Sequence, residues 1–157
     1  MQEQRDAVLT VISRYRPFGV CPLAGPHAIS DSFGVLHRHG SKREVGTHIH
    51  QGVDIATAMG TPVLAPFDGT AVASASRIGG RAVKVLGEWG YVYNAHLSAY
   101  GQLGAVQRGD VIGYAARDRQ CLGVTQPLRV HPGGGPAVDP HELLVKVCST
   151  SAESPAV

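Results

Sequence analysis

The chain has 157 residues, of which 43% are hydrophobic and 17% charged, with a formal net charge of +2. That is enough for one ordinary domain with its own core, and it excludes disorder over most of the length. The near-neutral charge argues against a nucleic-acid footprint, and no apolar run approaches membrane-span length.

Residues 3–15 read as a short amphipathic helix, with Val8, Val11, Ile12 and Tyr15 at helical spacing. Pro17 and Gly19 end it. The helix lacks a basic face, so it is expected to pack on the domain or a partner, not on a membrane. Residues 20–50 are broken by Pro22, Gly25, Pro26, Gly34, Gly40 and Gly46, and read as loop with short strands. Arg38, Lys42 and Arg43 there form a solvated loop or contact an anionic polymer.

From residue 51 apolar runs of strand length alternate with turns. The runs are Val53–Ile55, Pro62–Ala65, Thr70–Ala73, Ala82–Leu86, Tyr91–Tyr93 and Asp110–Tyr114, separated by glycines such as Gly60, Gly69, Gly79 and Gly109. Closely spaced strands with glycine-bearing turns predict an all-β, mostly antiparallel domain. Gly133-Gly134-Gly135 reads as a tight hairpin, since no P-loop lysine follows. Residues 142–147 are a last element, helix or strand. The expected organisation is an N-terminal helix and lead-in over 1–19, one domain over 20–147 and a flexible tail over 148–157.

The three cysteines, Cys21, Cys121 and Cys148, are odd in number and form no Cys-x-x-Cys pair. They read as reduced thiols, neither a disulfide framework nor a cysteine zinc site. No secretory signal is legible at the N-terminus.

Five of the eight histidines lie between 27 and 50: His27, His37, His39, His48 and His50. The others are His96, His131 and His141. His50 and Asp54 form an H-x-x-x-D pair, and a neutral imidazole with a carboxylate suits zinc. His96 follows the strand-like Tyr91–Tyr93.

The runs His50-Gln51-Gly52-Val53-Asp54-Ile55-Ala56, Gly60-Thr61-Pro62-Val63-Leu64-Ala65-Pro66, Tyr93-Asn94-Ala95-His96-Leu97-Ser98 and Val130-His131-Pro132-Gly133-Gly134-Gly135 occur in that order. Together they closely resemble the lysostaphin-type (LytM-like) zinc endopeptidases, over about residues 20–145. Cys21–Pro26 and Asp31–Gly34 look like the lead-in strand of the same domain. The resemblance implies an antiparallel β fold with a groove, and hydrolysis of peptide bonds in bacterial peptidoglycan. It implies zinc held by the His and Asp of H-x-x-x-D and by the second His of a later H-x-H. On this sequence His50 and Asp54 match metal ligands, and His96 matches a catalytic histidine.

The later H-x-H is missing. The only such pairs, His37-Arg38-His39 and His48-Ile49-His50, lie upstream of Asp54. Aligned without gaps, Thr125 stands in place of the other catalytic histidine and Pro127 in place of the third ligand. Proline has no ligating side-chain atom, and two ligands are too few for tight zinc. Sliding the motif by four residues makes His131 the substitute. An even slip preserves strand parity but moves the residue about 13 Å. Intact members of the family carry a histidine like His131 that is not a ligand. His48 and His39 are the remaining substitutes.

The expected function is therefore a degenerate peptidase-like domain. It is a non-catalytic module that binds peptidoglycan or a wall or virion protein, in the manner of a phage tail or lysis component. The alternative is an active zinc endopeptidase with a substituted third ligand. Zn2+ is the cofactor only in that second case. Neither nucleic acid nor membrane insertion is expected.

Overall fold

The computed structural model describes residues 2–3, 18–31, 33–34, 36–39, 46–49, 52–77, 80–116 and 125–153; for 36–39, 46–49, 125–127 and 149–153 only the backbone is described. The expected N-terminal helix falls almost wholly outside these residues.

The strands are β1 (His27–Ile29), β2 (Leu36–His39), β3 (Gly46–Ile49), β4 (Val53–Thr57), β5 (Pro62–Leu64), β6 (Gly69–Ala73), β7 (Val83–Gly87), β8 (Gly90–Asn94), β9 (Leu97–Tyr100), β10 (Gly104–Val106), β11 (Val111–Ala115) and β12 (Thr125–Pro132). The helix α1 spans His141–Glu153. The larger sheet has the order β1-β4-β12-β8-β7-β6-β10, a smaller one β5-β11-β9, and β2 pairs with β3. Every one of these pairings is antiparallel. The all-β expectation holds.

Alternation decides which face of the large sheet is covered. Val53 and Ile55, Val83 and Val85, Val92, Leu128 and Val130 are all buried. The residues between them, such as Asp54, Lys84, Tyr93 and Arg129, are only half-buried. The small sheet adds Val63, Leu97 and Ile112 to the same core. An aromatic group of Phe18, Phe67 and Trp89 extends it, with ring centroids 5.3–6.2 Å apart.

The last element is a helix. Asp139 caps it, its Oδ1 accepting the His141 N–H at 3.0 Å. Pro140 then supplies the first carbonyl, which accepts from the Leu144 N–H at 2.9 Å. Asp before Pro, with Glu142 three residues on, is a helix-start pattern. Leu143, Leu144 and Cys148 form its buried face. The helix continues to Glu153, into the stretch where the sequence suggests a frayed tail. No described helix is long and apolar enough to cross a membrane.

The expectation of three reduced thiols is corrected. Cys21 and Cys148 form a disulfide across 127 residues, with Cα atoms 4.6 Å apart. Cys21 sits just before Leu23, which bridges to Val63 in β5. Cys148 lies on the buried face of α1, which packs beside β1. Tertiary packing makes the pair, so neither local spacing nor an odd count could reveal it. Cys121 lies outside the described residues.

Candidate functional site

β4, one strand in from the β1 edge of the large sheet, positions Asp54 between buried Val53 and Ile55. Its backbone carbonyl is held from the end of β1, accepting the Ser30 N–H at 3.0 Å and the Ser30 hydroxyl at 2.7 Å. Just upstream, Gly52 allows β4 to start against β12. A Cβ on that residue would lie 2.4 Å from the Leu128 carbonyl oxygen. Only glycine permits such an approach. His50 lies outside the described residues.

The backbone partner of Asp54 on β12 is Pro127, and that of Ala56 is Thr125. Proline in an inner strand of a seven-stranded sheet is unusual, because it removes a ladder donor. Here β8 ends at Asn94, opposite Leu128, so residue 127 has a paired strand on one side only.

His96 occupies the turn between β8 and β9. Leu128 pairs with Val53 on one side and Asn94 on the other. Asp54 and the His96 turn therefore share one end of the sheet, on either side of β12, two strand spacings or about 10 Å apart. His96 has φ 55°, the left-handed region. Its carbonyl accepts from the Ala116 N–H at 2.9 Å, and the next N–H, of Leu97, donates to the Arg81 carbonyl at 2.9 Å. A left-handed residue with a Cβ costs about 1–2 kcal/mol. Glycine relieves that cost but adds freedom to the unfolded chain. His96→Gly is thus expected to unfold within about 1 kcal/mol of the native chain, whereas His96→Val is expected to lose about 2 kcal/mol. Denaturant melts of the two variants check this.

His131 lies four residues beyond Pro127 on β12, opposite Tyr91. Its ring stacks on Tyr91 with centroids 4.4 Å apart and planes 13° from parallel. Its Nδ1–H donates to the Gly135 carbonyl at 2.8 Å. This contact is made by the turn at Gly133 and Gly134, with φ of 64° and 75°. The expected tight hairpin is thus present, and it closes with the Val138 N–H donating to the Val130 carbonyl at 3.0 Å.

Burial holds the His131 pKa below its ordinary value of 6.5, helped by Arg129 and Lys84 and opposed by the bond to Gly135. A lowered histidine pKa stabilises the fold fully above 6.5, and that contribution is lost as pH falls through the folded pKa. An NMR titration of the His131 ring is expected to give a midpoint below 6.5. Stability is expected to fall on acidification below 6.5, and less so in His131→Gln.

The same half-buried face carries a feature that the sequence reading missed. Lys84 Nζ lies 5.1 Å from the Tyr91 ring centre, and the Arg129 guanidinium 5.3 Å from that of Tyr93. With His131 on Tyr91, they make a cation–aromatic stripe across β7, β8 and β12, on the Asp54 face. A period-2 signal was present, Tyr91 and Tyr93 alternating with buried Val92 and Asn94. The side chains of Arg38, Lys42, Arg43, His39 and His48 are outside the described residues.

The chain matches the model of peptidase family M23 over residues 48–134, more than half its length. The chain belongs to this family. No curated protein matches it in sequence. Among solved structures it is similar to the catalytic domain of the antimicrobial peptidase lysostaphin from Staphylococcus simulans. The identity there is 24%, with 75% of this chain and 92% of that one covered, at a TM-score of 0.61. A zinc containing peptidase from Vibrio cholerae gives 24% identity, 77% and 38% coverage and a TM-score of 0.61. The catalytic domain of a mutant of a prophage-encoded M23 protein, EnpA from Enterococcus faecalis, gives 22%, 74% and 91%, with a TM-score of 0.57. At these identities the likeness concerns the fold, and it agrees with the lysostaphin-type architecture that the motifs imply.

Proposed function

We propose that this M23 domain is a non-cutting module that binds bacterial peptidoglycan through the Asp54 face of its large sheet. The observation that carries the reading is Pro127 as the backbone partner of Asp54. The residue nearest to Asp54 along β12 is one that cannot ligate a metal. His50 and Asp54 alone make two protein ligands, whereas zinc sites use three or four. The donor set does not fit a tight zinc site. His131 is a poor replacement, about 13 Å further along the strand and stacked on Tyr91. Thr125 also supplies no imidazole for proton transfer, a loss of about 10²–10⁴ in rate.

The stripe of Lys84, Tyr91, Tyr93 and Arg129 supports binding. Stem peptides carry carboxylates, which suit the two cations, and sugar rings carry apolar faces, which suit aromatic rings. The disulfide supports action outside a reducing cytosol. A wall-directed domain of this kind suits a phage tail or lysis component, and one of the similar structures is prophage-encoded.

The test combines zinc content with wall binding. Purified oxidised chain and oxidised His50→Ala are analysed for zinc, then pelleted with purified peptidoglycan and assayed for released peptide fragments. Little zinc, co-pelleting that Arg129→Glu weakens, and no fragments are expected. Near one zinc per chain, lost in His50→Ala and accompanied by fragments, would establish the active endopeptidase instead.

A further inference from the structure

The chemistry around the disulfide is not exhausted by the cross-link. Cys21 and Cys148 are each 2% exposed, and half-buried His27 at the start of β1 stands beside them. One ligand atom from each of the three residues lies within 4.8 Å of the others. The orientation of the imidazole is set independently. Its Nδ1 is 2.9 Å from the Gly25 carbonyl oxygen, which can only accept, so Nδ1 carries the proton and Nε2 keeps the lone pair. Metal-bound histidines are commonly fixed in this way, the far ring nitrogen donating to a carbonyl.

We propose that Cys21, His27 and Cys148 form a redox-gated site for a thiophilic divalent cation, zinc above all. In the oxidised chain the two sulfurs bond to each other. A dithiol reductant delivers two electrons and two protons, the S–S bond breaks, and the reductant leaves as its own disulfide. Zinc then takes the two sulfurs as thiolates, releasing their protons to solvent, together with the His27 imidazole. Two thiolates and one imidazole leave a fourth position for water.

The geometry allows this with little movement. Sulfurs on a tetrahedral zinc stand about 3.8 Å apart, given Zn–S bonds of about 2.3 Å. The Cα atoms are 4.6 Å apart, so χ1 rotation of the two cysteines opens that gap. Disulfide and zinc then serve the same purpose in two compartments. Each ties the lead-in at Cys21 to α1 at Cys148, so the fold keeps its clasp before and after leaving a reducing cytosol. This site shares no residue with the His50 and Asp54 motif, and only its use in two compartments rests on the proposed function.

The full chain, reduced with a phosphine under anaerobic conditions, is titrated with Co2+, whose thiolate charge-transfer absorption reports sulfur ligands alone. The reduced chain is expected to show that band, saturating near one equivalent and abolished by Zn2+, while the oxidised chain shows none. His27→Ala is expected to weaken the binding at least about tenfold with the thiolate band still present at high Co2+. No band in the reduced chain, or an unchanged affinity in His27→Ala, would overturn the proposal. So would a reduced chain that unfolds, followed by circular dichroism, and is not refolded by zinc.

Discussion

Replacing Thr125 and Pro127 together by histidine is expected to convert a chain that holds little zinc into one that holds about one ion. The reasoning starts from the register. Residue 127 is the backbone partner of Asp54 and residue 125 that of Ala56, so position 127 is the place on β12 from which a side chain meets Asp54. A histidine there adds the third ligand to His50 and Asp54, and three ligands with one open position is the donor count of catalytic zinc. The change also restores a backbone N–H to the strand. Because residue 127 has a neighbouring strand on one side only, the fold is expected to accept the replacement without loss. Histidine at 125 restores a proton-transfer group, worth about 10²–10⁴ in rate. The double variant is therefore expected to release peptide fragments from purified peptidoglycan at least a hundredfold faster than the native chain. Pro127→His alone should gain the metal and little of the rate. Zinc analysis and fragment release check both steps. An oxidised native chain already at one zinc, unchanged by the double replacement, would mean that position 127 is not where the third ligand belongs.

What could be read from the sequence follows from how local each signal is. β4, β5, β6, β7, β8 and β11 were legible because buried and open positions alternate within a few residues, as in Val53-Asp54-Ile55. β9 and β10 were not, since Leu97–Tyr100 and Gly104–Val106 are short and bury one residue each. The helix at the C-terminal end was ambiguous by periodicity, yet Asp139-Pro140 with Glu142 marks its start. At the site, the motif singled out His50, Asp54 and His96 as candidates and marked the gap at Thr125 and Pro127. It did not give the stripe, because Lys84, Tyr91, Tyr93 and Arg129 meet only through the pairing of β7, β8 and β12. Register is a long-range property, and no local window contains it. His131 illustrates the same limit. Its spacing from Pro127 suggested a shifted ligand, whereas its surroundings are a tyrosine ring and a hairpin carbonyl.

Removing the disulfide is expected to cost more stability than any other exchange of one or two side chains away from the core strands. The bond closes a loop spanning 127 residues. In the chain-entropy treatment such a closure removes about 5 kcal/mol of freedom from the unfolded state, against 2–4 kcal/mol commonly measured. For a chain of this size each kcal/mol moves the melting temperature by about 2–4 °C. Cys21→Ala with Cys148→Ala is thus expected to melt about 10 °C lower than the oxidised native chain. The loss should concentrate where the bond acts. Cys148 lies on the same face of α1 as Leu144, which is 0% exposed, and Cys21 adjoins Leu23, which is 4% exposed. Both ends are already packed, so the bond adds little contact and mainly restrains the unfolded chain. For that reason the unfolding rate is expected to rise less than the refolding rate falls, if the clasp region is ordered early. Cys121→Ala, which leaves the Cys21–Cys148 bond in place, is the control. The melts are run with a chelator, so that no cation substitutes for the bond in reduced samples. Equal melting temperatures for the oxidised, reduced and double-alanine chains would show that residues 21 and 148 are not joined in solution.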